Sequence, residues 1–509
     1  MLLLTIVLGI LFVILWWSDF QKVYRSYPNF PSFRKSYKFR ETLYFLLIIS
    51  LPIAFIEYSG LGNSLKISDG VLLSASLILS FSISLMWFLY LDRIDLFERE
   101  PRMIIIITFI LGALFTFLVY PLSNFIDSSF DFRLNGELWN DWWYCVFGIG
   151  MVEEIVKIIP FFIVLRFSKH INEPFDYILY GSVSALGFAF TENVLYLQSS
   201  QLSAVYGRAM FSSVAHMFDT SIITYGLIYL KHEKIDLKGF EFPILLLIAS
   251  LAHGFYDFWL INDAASSYYF FTILFFLFSI YLWVTMSNNM LNISPFYKTL
   301  NNFNPNRLKY RIVNMLLTIF YATYVFYFLF YGSGAAYRLL FNSWQLNVFI
   351  LLFLAFNLSS LEFIKGNIGM VKFKNAFLFL LPRIHVYKDY SNCSVSLDIP
   401  STMHMRTGKD KYRSMFPLSG KLIRRISYRG NTECYLLKVR ESISSQFLHS
   451  DYFILKLISK EEESLSSKPN PMVFYGLKKL TAVESGVIPD KRIVFIHEVV
   501  GIEIERERI

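Results

Sequence analysis

Charge is scarce in this chain. Only 17% of its 509 residues are Asp, Glu, Lys or Arg, where an average soluble domain carries about 25%. The shortage, set beside 55% apolar residues, excludes intrinsic disorder. An ordinary soluble globule is excluded too, because 53 Phe and 32 Tyr supply more apolar surface than one core can hide. Cysteine is nearly absent, and Cys145, Cys393 and Cys434 cannot make a disulfide framework. No repeat with a period of about 20–50 residues and no low-complexity tract is visible. The zinc-protease signature His-Glu-x-x-His is missing as well: His232-Glu233 is followed by Lys-Ile-Asp, and His497-Glu498 by Val-Val-Gly. No pattern calls for a nucleic-acid partner.

What is present is apolar sequence in long runs. Crossing the hydrocarbon layer takes roughly 20 apolar residues in a helix, because lipid satisfies no backbone polar group. About eleven such runs lie near 1–17, 42–58, 70–91, 103–122, 142–168, 177–198, 208–230, 242–262, 268–287, 312–331 and 345–364. The first has no basic residues before it and no small-residue cleavage site after it, so it reads as a retained anchor. The predicted fold is an all-α polytopic membrane protein in the cell membrane, with the lipid bilayer as its solvent.

The few charges are sorted. One alternate set of loops, from Lys22 to Arg311, holds 18 Lys and Arg, whereas the opposite set holds only Lys66, Arg133, Arg208 and Arg338. Basic loops stay in the cytoplasm, so the amino terminus is expected outside and everything after Lys365 inside. Residues 1–365 carry 24 basic and 24 acidic groups, and residues 366–509 carry 23 and 15, so the whole +8 excess belongs to the last region. That region has short β-favouring stretches at Lys421–Tyr428, Tyr435–Val439, Tyr452–Ile458 and Arg492–Val500, with a turn signal at Arg429-Gly430-Asn431. It reads as a small β-rich cytoplasmic domain. Its positive charge suits a cytoplasmic partner or anionic lipid, and equally an ordinary soluble domain on a tether. Ser459–Asn470 reads as a solvated loop, Cys393 and Cys434 as reduced thiols, and Cys145 as a small buried apolar residue.

Ionisable groups inside a membrane cost about 2.5–3.5 kcal/mol each on insertion scales, and four consecutive spans carry them. The fifth has Glu153, Glu154 and Lys157, the sixth Glu192, the seventh His216 and Asp219, and the eighth His253 and Asp257. At 1.5 Å per residue, Glu153 lies ~16 Å from the outer end of its span, Glu192 ~9 Å, His216 ~12 Å, His253 ~13 Å and Asp257 ~8 Å. Helices of alternating direction thus bring these groups to one layer, in the outer half of the bilayer or near its midplane. The i,i+4 spacings Glu153/Lys157 and His253/Asp257 and the i,i+3 spacing Glu154/Lys157 keep each set on one helix face. Lys157 can neutralise a carboxylate, and Asp257 can orient His253. Gly148, Gly150, Gly181 and Gly187, with neighbouring Ser and Ala, allow the helices to approach closely. A Glu154–Lys157 pair alone would be structural glue, a lone His216 an interhelical hydrogen bond, and Asp219 is set aside as a packing residue. Five or six such groups in one layer point to a site.

The run Glu153-Glu154-x-x-Lys157, the run Phe188-x-x-x-Glu192, His216, and His253-x-x-x-Asp257 together resemble the motif series of PrsW-type intramembrane proteases, within the superfamily of prenyl-protein endopeptidases and bacteriocin-processing proteins. Asp92–Arg102, Tyr180-Gly181 through Gly187-Phe188, and Glu192-Asn193-Val194-Leu195-Tyr196 fit as well. The prenyl endopeptidases carry Arg where this chain has Ile158, and His where it has Glu192, which favours the PrsW branch. The likeness covers about residues 75–285. It divides the chain into N-terminal helices (1–70), a protease core (71–290), additional helices (291–365) and a β-rich domain of unassigned role (366–509).

The resemblance implies hydrolysis of a peptide bond with water activated by a glutamate. Glu153 is the expected base, and His253, oriented by Asp257, stabilises the oxyanion or protonates the leaving amine. Glu154, His216 and Glu192 hold or polarise the water without separate assignments, and Lys157 supports. The expected substrate is a single-pass membrane protein such as an anti-sigma factor, given a first cut on the extracytoplasmic side. A metal-free site is preferred. The zinc alternative would use His216, His253, Glu153 and Glu192. Proton-coupled transport is a second class of reading, weakened by the lack of an inverted repeat, and a non-catalytic scaffold is a third.

Overall fold

A computed structural model describes residues 2–297 apart from 26 and 28, residues 304–361 apart from 343, residue 368, and seven strands between 394 and 505. Ser459–Asn470 and Cys393 lie outside the described residues. The chain clusters into two compact units. One comprises Met1–Phe12, Glu41–Lys298 and Pro305–Ile384, and the other Val13–Arg40, Thr299–Asn304 and His385–Ile509.

Each of the eleven apolar runs coincides with a helix. We number them α1 (Leu2–Arg25), α2 (Tyr37–Tyr58), α3 (Asp69–Ile94), α4 (Arg102–Phe130), α5 (Met151–Phe167), α6 (Pro174–Ser199), α7 (Ser213–His232), α8 (Glu241–Ile261), α9 (Phe270–Asn292), α10 (Pro305–Asn342) and α11 (Trp344–Asn357). Among the described residues, eight are long and apolar enough to cross a membrane. The other three are α5, α7 and α11. Helices α5 and α11 have 17 and 14 residues. Helix α7 has 20 but is diluted by Ser, Thr, His and Asp. Two of these three carry part of the acidic and histidine series, and a site costs hydropathy.

Helix α6 is the axis of the first unit. Its most apolar 18-residue window is 78% buried, more than in any other of the eight, so its Gly, Ser and Ala residues face protein rather than lipid. Side-chain hydroxyls fasten it on four sides. Ser80 of α3 donates to the Phe190 carbonyl at 2.6 Å, and Thr191 donates to the Ala113 carbonyl of α4 at 3.0 Å. Ser184 donates to the Lys157 carbonyl of α5 at 2.5 Å, and the Ser182 and Ser221 hydroxyls pair across to α7 at 3.1 Å. The crossing with α4 is a glycine contact. A methyl group on Gly112 would collide with the Ser184 carbonyl, and one on Gly187 with the Phe109 carbonyl, so only glycine permits this approach.

Two helices that carry the site begin with a π-helical turn. Tyr144–Gly150 runs into α5 and Arg208–Ser212 into α7. An inserted residue of this kind rotates the succeeding side chains about the helix axis and often marks a functional position. The first turn packs against α8, where a Cβ on Gly150 would come within 2.9 Å of the Ser250 carbonyl and 3.2 Å of His253 Cβ. Cys145 in this turn is a free, fully buried thiol.

The strands of the second unit form one sheet, numbered β1 (Ser394–Asp398), β2 (Leu418–Tyr428), β3 (Asn431–Ser445), β4 (Leu448–Leu457), β5 (Met472–Leu477), β6 (Ile493–His497) and β7 (Gly501–Glu505). Their order is β6-β5-β4-β3-β2-β1-β7, and every pairing is antiparallel. Strands β2 and β3 flank the turn predicted at Arg429-Gly430-Asn431, with Tyr428 paired to Asn431, and Arg429 and Gly430 lie outside the described residues. Each of the four expected β stretches falls on a strand, and β1, β5 and β7 are additional.

Candidate active site

The structure brings the residues of α5 to α8 together around one ammonium group. Lys157 Nζ lies 3.0 Å from Glu153 Oε2 and 2.8 Å from Glu154 Oε1, as the i,i+4 and i,i+3 spacings require. It also lies 2.9 Å from His216 Nδ1 and 3.4 Å from His253 Nδ1, and 4.5 Å from the centre of the Phe188 ring. Lys157 and Glu154 have no exposed surface. A lysine ammonium only donates hydrogen bonds, so His216 presents its Nδ1 lone pair to Lys157 and carries its proton on Nε2. That Nε2–H donates to Glu192 Oε2 at 2.7 Å, with the Ser212 hydroxyl at 3.2 Å.

His253 has carboxylates at both ring nitrogens. Nδ1 faces Glu154 Oε1 at 2.9 Å and Asp219 Oδ2 at 3.7 Å. Nε2 faces Asp257 Oδ2 at 3.3 Å and Glu153 Oε2 at 3.5 Å. Glu154 is further held at Oε2 by the Thr220 hydroxyl at 2.8 Å. The two glutamates are therefore unequal. Glu154 is sealed and fully engaged, whereas the Glu153 side chain is 11% exposed, on the side where Glu192 and Asp257 reach 17% and 21%. These three carboxylates are the partly exposed acids of the cluster.

All of Glu153, Glu154, Lys157, Glu192, His216, His253 and Asp257 meet in this one cluster. Two members are additions to that set. Asp219, set aside as a packing residue, stands 3.7 Å from His253 Nδ1 and keeps Oδ1 free of any hydrogen-bond partner. Its place three residues after His216 on the same helix face was the signal for it. Arg208, counted only among the outer-loop charges, donates through Nη2 to Glu192 Oε2 and through Nε to Asn193 Oδ1. Its signal was weaker: a lone cation at the start of a helix that carries site residues.

Two sets of donors converge closely enough to hold a metal ion. The ligand atoms of Glu153, His216 and His253 lie within 4.8 Å of one another, as do those of Glu154, Asp219 and His253. Two imidazoles and a carboxylate are a donor set that zinc accepts. An ion on the first set would share its surroundings with the Lys157 ammonium, which is within hydrogen-bond distance of Glu153 and His216.

Many-span helices enclosing a buried carboxylate and histidine cluster define a polytopic membrane protein built around a polar catalytic-type site. Residues 100–284 match the model of the family described as PrsW family intramembrane metalloprotease. The chain is 30% identical over 204 residues to Protease PrsW of Oceanobacillus iheyensis, an alignment covering 40% of this chain and 87% of that protein. It is 32% identical over 187 residues to Protease PrsW of Clostridioides difficile, covering 36% and 76%, and 28% identical over 176 residues to that of Bacillus subtilis, covering 35% and 77%. No solved structure matches. The chain belongs to the PrsW protease family, and its α1, α2, α3, α10, α11 and β-sheet lie outside the region that the family model matches.

Proposed function

We propose that this protein is an intramembrane endopeptidase in which Glu153 activates water and returns its proton to the leaving amine, and His253 stabilises the oxyanion. The observation that carries this reading is the pair of carboxylate contacts on His253, Glu154 at Nδ1 and Asp257 with Glu153 at Nε2. An imidazole so placed is kept as a proton donor. Glu153, the more accessible of the two glutamates, removes a proton from water as the oxygen attacks the scissile carbonyl carbon. The oxyanion forms beside the His253 Nε2–H, which stabilises it. Collapse breaks the C–N bond, and the proton taken by Glu153 passes to the departing nitrogen. Lys157 keeps Glu154 charged and His216 in one tautomer while this happens.

The substrate is a single-pass membrane protein of the anti-sigma-factor kind, cut near the extracytoplasmic face. Two features support that side: the shallow depth of Glu192 and Asp257 on their spans, and the basic loops that put the opposite helix ends in the cytoplasm. A transmembrane substrate must unwind to offer its carbonyl, which is easier near an interface than at the bilayer centre. The β-rich domain, with its excess of basic residues, would contact a cytoplasmic partner or anionic lipid.

The convergence of Glu153, His216 and His253 favours a second reading, a zinc-dependent form of the same protease. Zinc held there would polarise the scissile carbonyl and acidify a bound water. Coexpression with a tagged single-pass substrate tests the proposal. Glu153→Gln and His253→Ala should each lower cleavage by about 10²–10⁴-fold, the range for general acid–base groups. Variants that cut as well as wild type would end the protease reading. Stoichiometric zinc in the purified protein, with cleavage lost to chelator and regained with metal, would replace the metal-free mechanism by the second one.

A further inference from the structure

Helix α4 starts against α6 and then leaves it. In the first half of α4 the two backbones touch at Gly112 and Gly187, and Thr191 ties α6 to the Ala113 carbonyl at 3.0 Å. Pro121 ends that contact. A proline lacks an N–H, and its ring pushes against the carbonyl four residues earlier, here that of Phe117. The helix tightens into a 3₁₀ turn at Thr116–Leu118. The Thr116 hydroxyl donates to the Gly112 carbonyl at 2.9 Å, a back-bond that bends helices. Beyond the turn, Val119–Phe130 leans on α5 and on the π-helical turn before it, where the Tyr144 hydroxyl donates to Asp127 Oδ1 at 3.0 Å.

The result is a cleft between two helix faces that begin in contact. On α6 the shared face runs through Ser184, Gly187 and Thr191, and the next position at helical spacing is Leu195. On α4 it runs through Phe109, Gly112 and Ala113 to Thr116 and then Tyr120. Leu195 is 59% exposed and Tyr120 75%. Both belong to membrane-spanning helices, so the cleft opens sideways into lipid. It leads to the site: Glu192 directly follows Thr191, its side chain is partly exposed, and Tyr196 stands one turn beyond it, exposed and 4.4 Å from the Arg208 guanidinium.

We propose that the cleft between the second half of α4 and the C-terminal end of α6 is the lateral entrance by which a transmembrane substrate helix reaches Glu192 and Glu153. Three features select that occupant. The rim is apolar and aromatic, with Phe117, Tyr120 and Leu195 exposed, so it receives an apolar segment arriving through lipid and offers nothing to a hydrophilic peptide. The cleft is continuous with the cluster at Glu192, close to the end of α6 at Ser199, and a helix that unwinds near a membrane face can satisfy its backbone there. A 3₁₀ turn inside a helix commonly marks a hinge, so Val119–Phe130 can swing aside while the Gly112–Gly187 contact stays shut.

The entrance rests on the protease reading, so capture and cleavage are measured separately. In full-length Glu153→Gln protein, a photo-crosslinking residue in place of Leu195 should capture a coexpressed, tagged single-pass membrane protein of the anti-sigma-factor kind through its membrane segment. The same residue in place of Ile107, exposed on the first half of α4, should not. Equal capture from both positions would overturn the proposal, as would capture at Leu195 of lipid alone or of a second copy of this chain. The second arm bridges Leu195→Cys to Tyr120→Cys with a reducible bifunctional reagent, in a protein freed of its three native cysteines. Bridging should lower cleavage of the tagged protein by about 100-fold, the cost of losing position at the reacting groups, and reducing the linker should restore it. A water-soluble peptide with the same cut sequence should still be cut by the bridged protein. Undiminished cleavage of the membrane-spanning substrate after bridging would sink the entrance, and so would equal loss for both substrates. Capture at Leu195 by a protein whose wild type cleaves neither substrate would support the entrance and remove the protease reading.

Discussion

Helix α6 has an acidic cluster at each end, and the two are built on opposite principles. At one end, Glu192 meets Arg208 and His216, and the neighbouring Glu153 and Glu154 meet Lys157 and His253. At the other end, Asp95, Glu100, Glu173 and Asp176 are all at most 7% exposed, and their hydrogen-bond donors are neutral. Asp95 accepts from the Glu100 N–H at 3.2 Å, and Glu100 from the Tyr180 hydroxyl at 2.7 Å. Glu173 accepts from the Ser294 hydroxyl at 2.5 Å, and Asp176 from the Asn172 and Glu173 N–H groups, both at 2.8 Å. One oxygen of Asp95, of Glu173 and of Asp176 has no partner. A carboxylate that must stay charged for chemistry needs cations around it, while one that only ties loops together can lose its charge. The comparison separates a reacting site from a fastening.

Removing the central cation tests that separation most strongly. Lys157→Met keeps the length and volume of the side chain and leaves Glu153 and Glu154 buried without their ammonium. Stranding one partner of a buried ion pair costs about 3–5 kcal/mol. Thermal unfolding in detergent should fall accordingly, and cleavage should be lost in the fraction that remains folded. A variant as stable as wild type would show that the two ends of α6 do not differ in kind. A smaller effect is expected of Glu154→Gln. It retains the Thr220 contact and weakens the hold on His253, so it should impair cleavage less than Glu153→Gln does. Equal losses would contradict the division into an accessible base and a sealed anchor.

Much of this architecture is legible in the amino-acid order, but not its rotations. Hydrophobic runs of the right length mark all eleven helices, and charge inside α5 to α8 marks the site, because lipid tolerates neither exposed backbone nor idle ions. Rise per residue gives depth, so Glu153, His216 and His253 can be expected in one layer. Which way a side chain points about its helix axis is a different matter. The π-helical turns at Tyr144–Gly150 and Arg208–Ser212 each shift that direction, and no local propensity announces them. Arg208 was hidden for that reason. The cluster at the other end was hidden for another: Asp95 and Glu100 come from one loop and Glu173 from another, and only tertiary packing brings Glu100 to Tyr180 and Glu173 to Ser294.

The fastening at Asp95, Glu100 and Glu173 predicts a pH dependence whose sign distinguishes it from the paired end. Burial, opposed in part by the Glu100 N–H, raises Asp95 from 3.8 to about 7. Burial likewise raises Glu173 from 4.5 to about 7 against the Ser294 hydrogen bond, and it raises Glu100 against the Tyr180 one. Acids with raised values in the folded state bind more protons there than when unfolded, so stability must fall as pH rises. The contribution is complete below about pH 4 and is lost as the pH climbs through about 7. Each pKa unit corresponds to about 1.4 kcal/mol at most, and neighbouring Asp92, Glu98 and the exposed His170 modulate the profile. The Asp95→Asn, Glu173→Gln double variant should flatten the decline in unfolding free energy between pH 5 and 8, read from melting curves, by the order of 1 kcal/mol per group. A decline that persists in the double variant would place its source outside these loops, and a wild-type stability that rises over that range would mean these carboxylates are paired after all.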